Sequence, residues 1–141
     1  MKDKYRNIRQ GQGEELPSVG SMTFEKQVEI VESPYLDAKN RGAKILVGGI
    51  RKTDQEGLFH EPSILIDVNH DMIIMQEETF GPEISVMPFS DENTAIGLAN
   101  DSAYGLNASV WTSDPDKASW WYPYSRKIYN LFSRVIRIVF G

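Results

Sequence analysis

The 141-residue chain contains no cysteine. That excludes disulfides, thiolate metal sites and a cysteine nucleophile within these residues. Histidine is scarce, with only His60 and His70. Two histidines in loop-like segments cannot build a Ser-His-Asp arrangement. Asp67, His70 and Asp71 cluster in sequence, but one imidazole with two loop acids is ordinary surface chemistry, and no metal is expected. The stretch GQGEEL is not G-x-G-x-x-G, there is no Walker loop, and these glycines carry no phosphate role. No apolar run approaches the ~18 residues of a membrane span. The opening MKDKYRNIRQGQGEE lacks the apolar core of a secretory signal, so a cytoplasmic protein is expected. A net charge of -5 argues against nucleic acid as a partner.

Acid is missing from one region only. Residues 1–118 hold all 20 acids and 11 of the 15 bases, while 119–141 hold four bases, no acid and seven of the 15 aromatics. So sharp a break separates a main region, 1–118, from a basic aromatic tail, 119–141. On a helix, Ile128, Leu131, Phe132, Val135 and Val139 of the tail would lie opposite Arg126, Lys127, Arg134 and Arg137. Such a helix could touch a membrane surface. The plainer expectation is a tail that is apolar by chance and makes no membrane contact.

What is present patterns as α/β. Residues 1–22 read as an opening loop with Gly11, Gly13 and Gly20. FEKQVEIVESPYLDAKNR predicts a helix with Val28, Val31, Tyr35 and Ala38 on one face, Thr23 as N-cap and Gly42 just past its end. Pro34 inside it predicts a kink. AKILVG, PSILIDV and EISVMPF predict strands. Ser90 or Asp91 caps a helix through DENTAIGLAN, LNASVWT alternates as a strand, and Asp114-Pro115 opens a further helix. Alternating helices and strands predict an α/β layer structure whose sheet is parallel.

The richest stretch is QEETFGP, residues 76–82. If 77–80 are extended, Glu77 and Glu78 point to opposite faces, and Glu78 and Phe80 share one. A carboxylate beside a flat apolar wall suits a ribose carrying a planar base. The same spacing also describes a solvated acid next to a core phenylalanine.

Glu77-Glu78-Thr79-Phe80-Gly81-Pro82 resembles the E-E-x-F-G-P motif of the NAD(P)-dependent aldehyde dehydrogenase superfamily. Other landmarks of that family recur in order: Val19-Gly20, Gly42-Ala43-Lys44 with Gly48-Gly49, Phe59-x-x-Pro62, Ala99-Asn100-Asp101 and Tyr104-Gly105-Leu106. The resemblance runs from about Tyr5 to Ala118, and it marks 1–118 as part of an aldehyde dehydrogenase catalytic domain. It implies NAD or NADP as cofactor and a small-molecule aldehyde as substrate. It places Glu78 on the nicotinamide ribose, Phe80 near the nicotinamide, Gln27 on the cofactor ribose and Leu106 against the nicotinamide. Gln27 could equally be a solvated helix residue and Leu106 a core strand residue. Many family members carry Lys where this chain has Ile30.

Family chemistry needs a cysteine thiolate to attack the aldehyde, a second Glu as base and a glycine-rich cofactor-binding half. None lies in the matched stretch. The resemblance therefore implies a truncated aldehyde dehydrogenase-like protein, inactive alone, that binds cofactor weakly or not at all. The alternatives are a subunit of a split enzyme, completed by a partner segment, and a non-catalytic membrane-surface or interaction protein acting through its tail; the chain could also form a homo-oligomer.

Overall fold

The computed structural model describes residues 2–13, 17–53, 56–104, 109–111 and 137–139. The chain divides into two compact units, Met1–Pro88 and Phe89–Gly141. The expected boundary at 118/119 and the expected helix after Asp114-Pro115 lie outside the described residues.

In the first unit the chain runs α1 (Lys2–Arg6), α2 (Glu25–Asn40), β1 (Lys44–Val47), β2 (Arg51–Lys52), β3 (Phe59–His60), β4 (Ser63–Ile66), α3 (Ile73–Gln76) and β5 (Glu83–Val86). The apolar stripe of α2 is buried as its spacing predicts: Val28, Val31 and Ala38 are fully enclosed and Tyr35 nearly so. Tyr35 and Ala38 join Ala43, Leu65, Val68, Met72 and Ile74 in one core cluster, flanked by Ile45, Met75 and Met87. Burying each large apolar side chain of this kind stabilises by roughly 1.5–3 kcal/mol.

Both ends of α2 have specific causes. Gly42 adopts φ 98°, open to glycine and costly for other residues. Its N–H donates to Lys39 O at 3.2 Å, and Ala43 N–H donates to Ala38 O at 2.9 Å. These two bonds form a Schellman ending, and both alanines it joins are buried in the core. The start differs from expectation. Phe24, not Thr23, is the N-cap, and no side chain caps it. Met22 N–H donates to Leu58 O at 2.8 Å, which draws the chain before the helix into the β3 side and shifts the helix start by one residue. Pro34 removes one internal hydrogen bond, yet α2 continues through it and the ring is buried.

The sheet has the order β1-β4-β5. β4 pairs parallel with β5, Ser63 opposite Glu83 and Ile66 opposite Val86. β1 pairs antiparallel with β4, with an irregularity between Ile45 and Val47. The α/β reading holds, and the sheet is mixed. The reason is the connection. From β1 the chain passes through the antiparallel ribbon β2–β3 and returns without a covering helix, so it runs back against β1. Between β4 and β5 it crosses through α3, which permits a parallel return. Ser63, Ile64 and Leu65 of this central strand are all buried.

The loop expected over residues 1–22 is corrected. Residues 1–22 hold α1 and two isolated bridges, Gln10 to Val19 and Met22 to Leu58. The stretch before QEETFGP forms α3, whose first N–H, on Ile73, donates to Asp37 Oδ2 of α2 at 3.0 Å. An acid borrowed from a neighbouring helix thus replaces a local cap.

In the second unit, α4 (Glu92–Asn100) starts at Asp91. The Asp91 carboxylate accepts from Thr94 N–H at 2.9 Å and from the Thr94 hydroxyl at 2.7 Å. β6 (Ser109–Trp111) lies within the expected LNASVWT strand and pairs parallel with β7 (Arg137–Val139). No helix among the described residues is long and apolar enough to cross a membrane.

Candidate functional site

The turn from Glu77 to Pro82 sits between α3 and β5, on the N-terminal half of α2. Glu77 closes α3 with extended backbone, φ -105° and ψ 150°, and its N–H donates to Ile73 O. The two adjacent acids differ in setting: Glu77 is exposed and Glu78 is half-buried. Phe80 stands 59% exposed, which is unusual for so large an apolar side chain.

Two contacts fix the turn to α2. Gln27 Nε2 donates to the Phe80 carbonyl at 2.5 Å. Gly81 lies so close to Val31 that a Cβ there would overlap its side chain. On the other side, Ser63 N–H donates to Pro82 O at 2.9 Å, which extends the β4–β5 ladder by one bond. Pro82 itself has no N–H and stands just before the strand, a position where a missing donor is tolerated. The Gly-Pro pair is therefore dictated by a crowded helix face and a strand start.

A small open cleft of about 80 Å³ borders this turn, lined by Gln10, Val19, Gly20, Met22, His60, Phe80, Gly81 and Pro82. It lies below the ~300 Å³ at which small-molecule pockets usually begin.

Behind the turn is a polar corner that sequence patterning did not reveal. His60 and the Glu83 side chain are 1% and 2% exposed, and His60 Nδ1 stands 3.9 Å from Glu83 Oε1. His60 Nδ1 and both carboxyl oxygens of Glu83 have no hydrogen-bond partner. The edge of Tyr35 meets the His60 ring at 5.7 Å between centroids and 73° between planes. Gln10 Nε2 donates to the His60 carbonyl at 2.7 Å and ties the opening segment to this corner. Burial pushes Glu83 up to about 8. It pushes His60 down, against weaker opposing effects from the Glu61 backbone and from Glu32 and Glu61. Burial, with Glu83 and Glu61 nearby, raises Tyr35. The one available sequence signal was an acid opening the short strand EISV.

Of the residues singled out from sequence, Gln27 and Phe80 are joined directly, and Glu78 lies two residues before Phe80 in the same turn. Leu106 lies outside the described residues. Among the described residues, no group of three or more His, Asp or Glu could hold a metal. Asp67 instead pairs with Lys44 at 2.7 Å.

Helices on a mixed sheet, with this turn clamped to a helix, define part of an α/β domain. The chain matches the aldehyde dehydrogenase family over residues 1–124, and it belongs to that family of oxidoreductases. It is 51% identical over 100 residues to 4,4'-diapolycopene aldehyde oxidase from Methylomonas sp, a match covering 71% of this chain and 18% of that protein. Its fold is similar to the crystal structure of Mycobacterium tuberculosis aldehyde dehydrogenase complexed with NAD+, with TM-score 0.79 and 31% identity, covering 92% of this chain and 28% of that one. Lactaldehyde dehydrogenase from Escherichia coli gives TM-score 0.81 and 31% identity, covering 89% and 26%. The chain spans about a fifth of the length of the curated relatives it matches, 18% and 21% for two of them.

Proposed function

We propose that these 141 residues carry the nicotinamide-facing part of an aldehyde dehydrogenase catalytic domain and do not oxidise aldehydes by themselves. The whole domain would convert an aldehyde to a carboxylic acid, with NAD or NADP supplying the hydride acceptor. Glu78 would accept hydrogen bonds from the ribose hydroxyls, Phe80 would wall the nicotinamide, and Gln27 and Leu106 would add contacts. The observation that carries this reading is the Gln27–Phe80 bond, which holds an exposed aromatic face and a half-buried carboxylate in one clamped turn. These residues fit one end of a dinucleotide. A similar solved protein is described as complexed with NAD+. A cytoplasmic setting belongs to the same reading.

Inactivity follows from inventory. Thioester chemistry needs a thiolate, and the sequence has no cysteine. Purified alone, the chain is expected to give no aldehyde-dependent reduction of NAD or NADP. Calorimetry with either cofactor is expected to show weak or undetectable binding, because most of the contact area of a dinucleotide must come from elsewhere. Turnover that survives removal of host enzymes, or micromolar binding, would overturn the reading. Exposed Phe24, Leu36, Ile50 and Phe80 favour a second possibility, a covering segment in trans. Co-expression with a polypeptide that supplies the cysteine and the glycine-rich half tests it, since restored turnover requires the two to assemble.

A further inference from the structure

Glu83 occupies a place that a carboxylate tolerates badly. It follows Pro82 directly, its backbone is paired opposite Ser63, and its side chain is 2% exposed. Both of its oxygens lack partners, as does the imidazole nitrogen 3.9 Å away. The charged and titratable groups around this corner come from four places. They are Glu32 and Tyr35 on α2, Arg51 on β2, His60 on β3 and Glu61 between β3 and β4. Arg51 is already engaged with Glu25 and with Glu32, the latter at 3.8 Å. Among the described residues, His60 is the only basic group within 4.0 Å of the Glu83 carboxylate. A neutral acid, by contrast, needs only an acceptor, and His60 Nδ1 is the nearest one.

We propose that Glu83 and His60 form a proton-sharing latch beneath the Phe80-Gly81-Pro82 turn, closed while Glu83 carries its proton and opened when that proton leaves. In the closed form the Glu83 hydroxyl donates to His60 Nδ1, and a small rotation of either side chain closes the 3.9 Å gap. When base removes the proton, a bare carboxylate is left in a buried site with no hydrogen-bond partner, and it moves toward water. β5 cannot yield easily, because it is paired with β4 from Glu83 to Val86. The turn before it can. Pro82 and His60 both line the open cleft, so the route to solvent passes the turn and displaces it from Val31 and Gln27. The latch goes beyond the cofactor reading and needs no cofactor to operate.

Carbon-detected NMR of the full chain, carboxyl-labelled at glutamate and titrated from about pH 5 to about 9, tests the latch. One glutamate is expected to titrate more than a unit above the rest, an over tenfold change in acid dissociation. Its signal disappears in Glu83→Gln. The ring and amide signals of Phe80 move with the same midpoint, and in Glu83→Gln they stop responding to pH. His60→Phe lowers the midpoint, because the neutral acid loses its acceptor. If Glu83→Gln does not fold, through-bond correlation to the Glu83 amide assigns the carboxyl in the unmodified chain. Titration of Glu83 alongside the other glutamates, a Phe80 signal indifferent to it, or a midpoint unmoved by His60→Phe would each overturn the latch. The sample contains no NAD, so the outcome is separate from that of the cofactor reading.

Discussion

The two halves of α2 are held in different ways. The C-terminal half lies in the apolar core: Tyr35 and Ala38 pack with Leu65, Val68, Met72 and Ile74. Polar contacts at this end reach α3 and the loop before it, through Asp37 to Ile73 N–H and Arg41 to Asp71 O, while the edge of Tyr35 meets the His60 ring. The N-terminal half buries Val28 and Val31 and adds a polar frame: Gln27 on the Phe80 carbonyl and Glu25 and Glu32 on Arg51. Beside it lie the buried acid and imidazole. Apolar packing supplies most of the stability, while the polar half seats the turn that carries the family motif. Adhesion and chemistry are thus divided along one helix, and they respond to different perturbations.

The largest effect is expected in the core half. Leu65→Ala leaves a cavity in the fully buried centre of β4 and should cost about 2–5 kcal/mol. Urea unfolding measures it, and the loss should be nearly the same at acid and neutral pH. A strong pH dependence of that loss would join the two halves into one system.

In the polar half, stability itself should depend on pH. Unfolded, Glu83 loses its proton near 4.5; folded, it keeps it up to about 8. The folded state therefore binds the extra proton across this window. The stability linked to it is fully present below about 4.5 and is lost as pH rises through about 8, a swing of a few kcal/mol. His60, lowered by burial, works in the opposite sense, and its contribution is lost as pH falls below 6.5. Unfolding curves across this range should show a net decline that Glu83→Gln flattens. An equal decline in the variant would place its source elsewhere.

Gly81→Ala comes next. The new methyl meets Val31 on α2 and should cost about 1–3 kcal/mol. Val31→Ala in the same chain should recover part of that loss, measured as a double-mutant cycle. The smallest effect belongs to Arg51→Ala. Surface ion pairs are weak, so a slight fall in the urea midpoint at low salt should vanish near 1 M salt.

The legible and illegible parts of the sequence follow the same division. The Val28, Val31, Tyr35, Ala38 stripe reads directly, because burial imposes a period on residues close in sequence. Gly42 and Asp91 also read directly, because a cap is a local bargain between neighbours. β2 and β3 are two residues each, too short for any period to show. The antiparallel sense of β1 depends on how the chain returns. The Asp37 cap on α3 is supplied from 36 residues away, and Thr23 lost its role to a bridge between Met22 and Leu58. His60 and Glu83 meet only because β3 leads into β4 beside β5. No pattern within either segment announces that encounter. The turn at 77–82 could be found through its motif, while its clamp to α2 could not.

The Gln27–Phe80 bond spans 53 residues, against 30 for Arg41–Asp71 and 36 for Asp37–Ile73. Closing a longer loop costs more chain entropy before any contact rewards it. The contacts that enclose the core thus join nearer segments than the bond that seats the turn. In time, assembly should run from the C-terminal half of α2 toward its N-terminal half, with the turn docking last. A nascent chain would then hold its apolar interior shut before its chemically dedicated surface took shape.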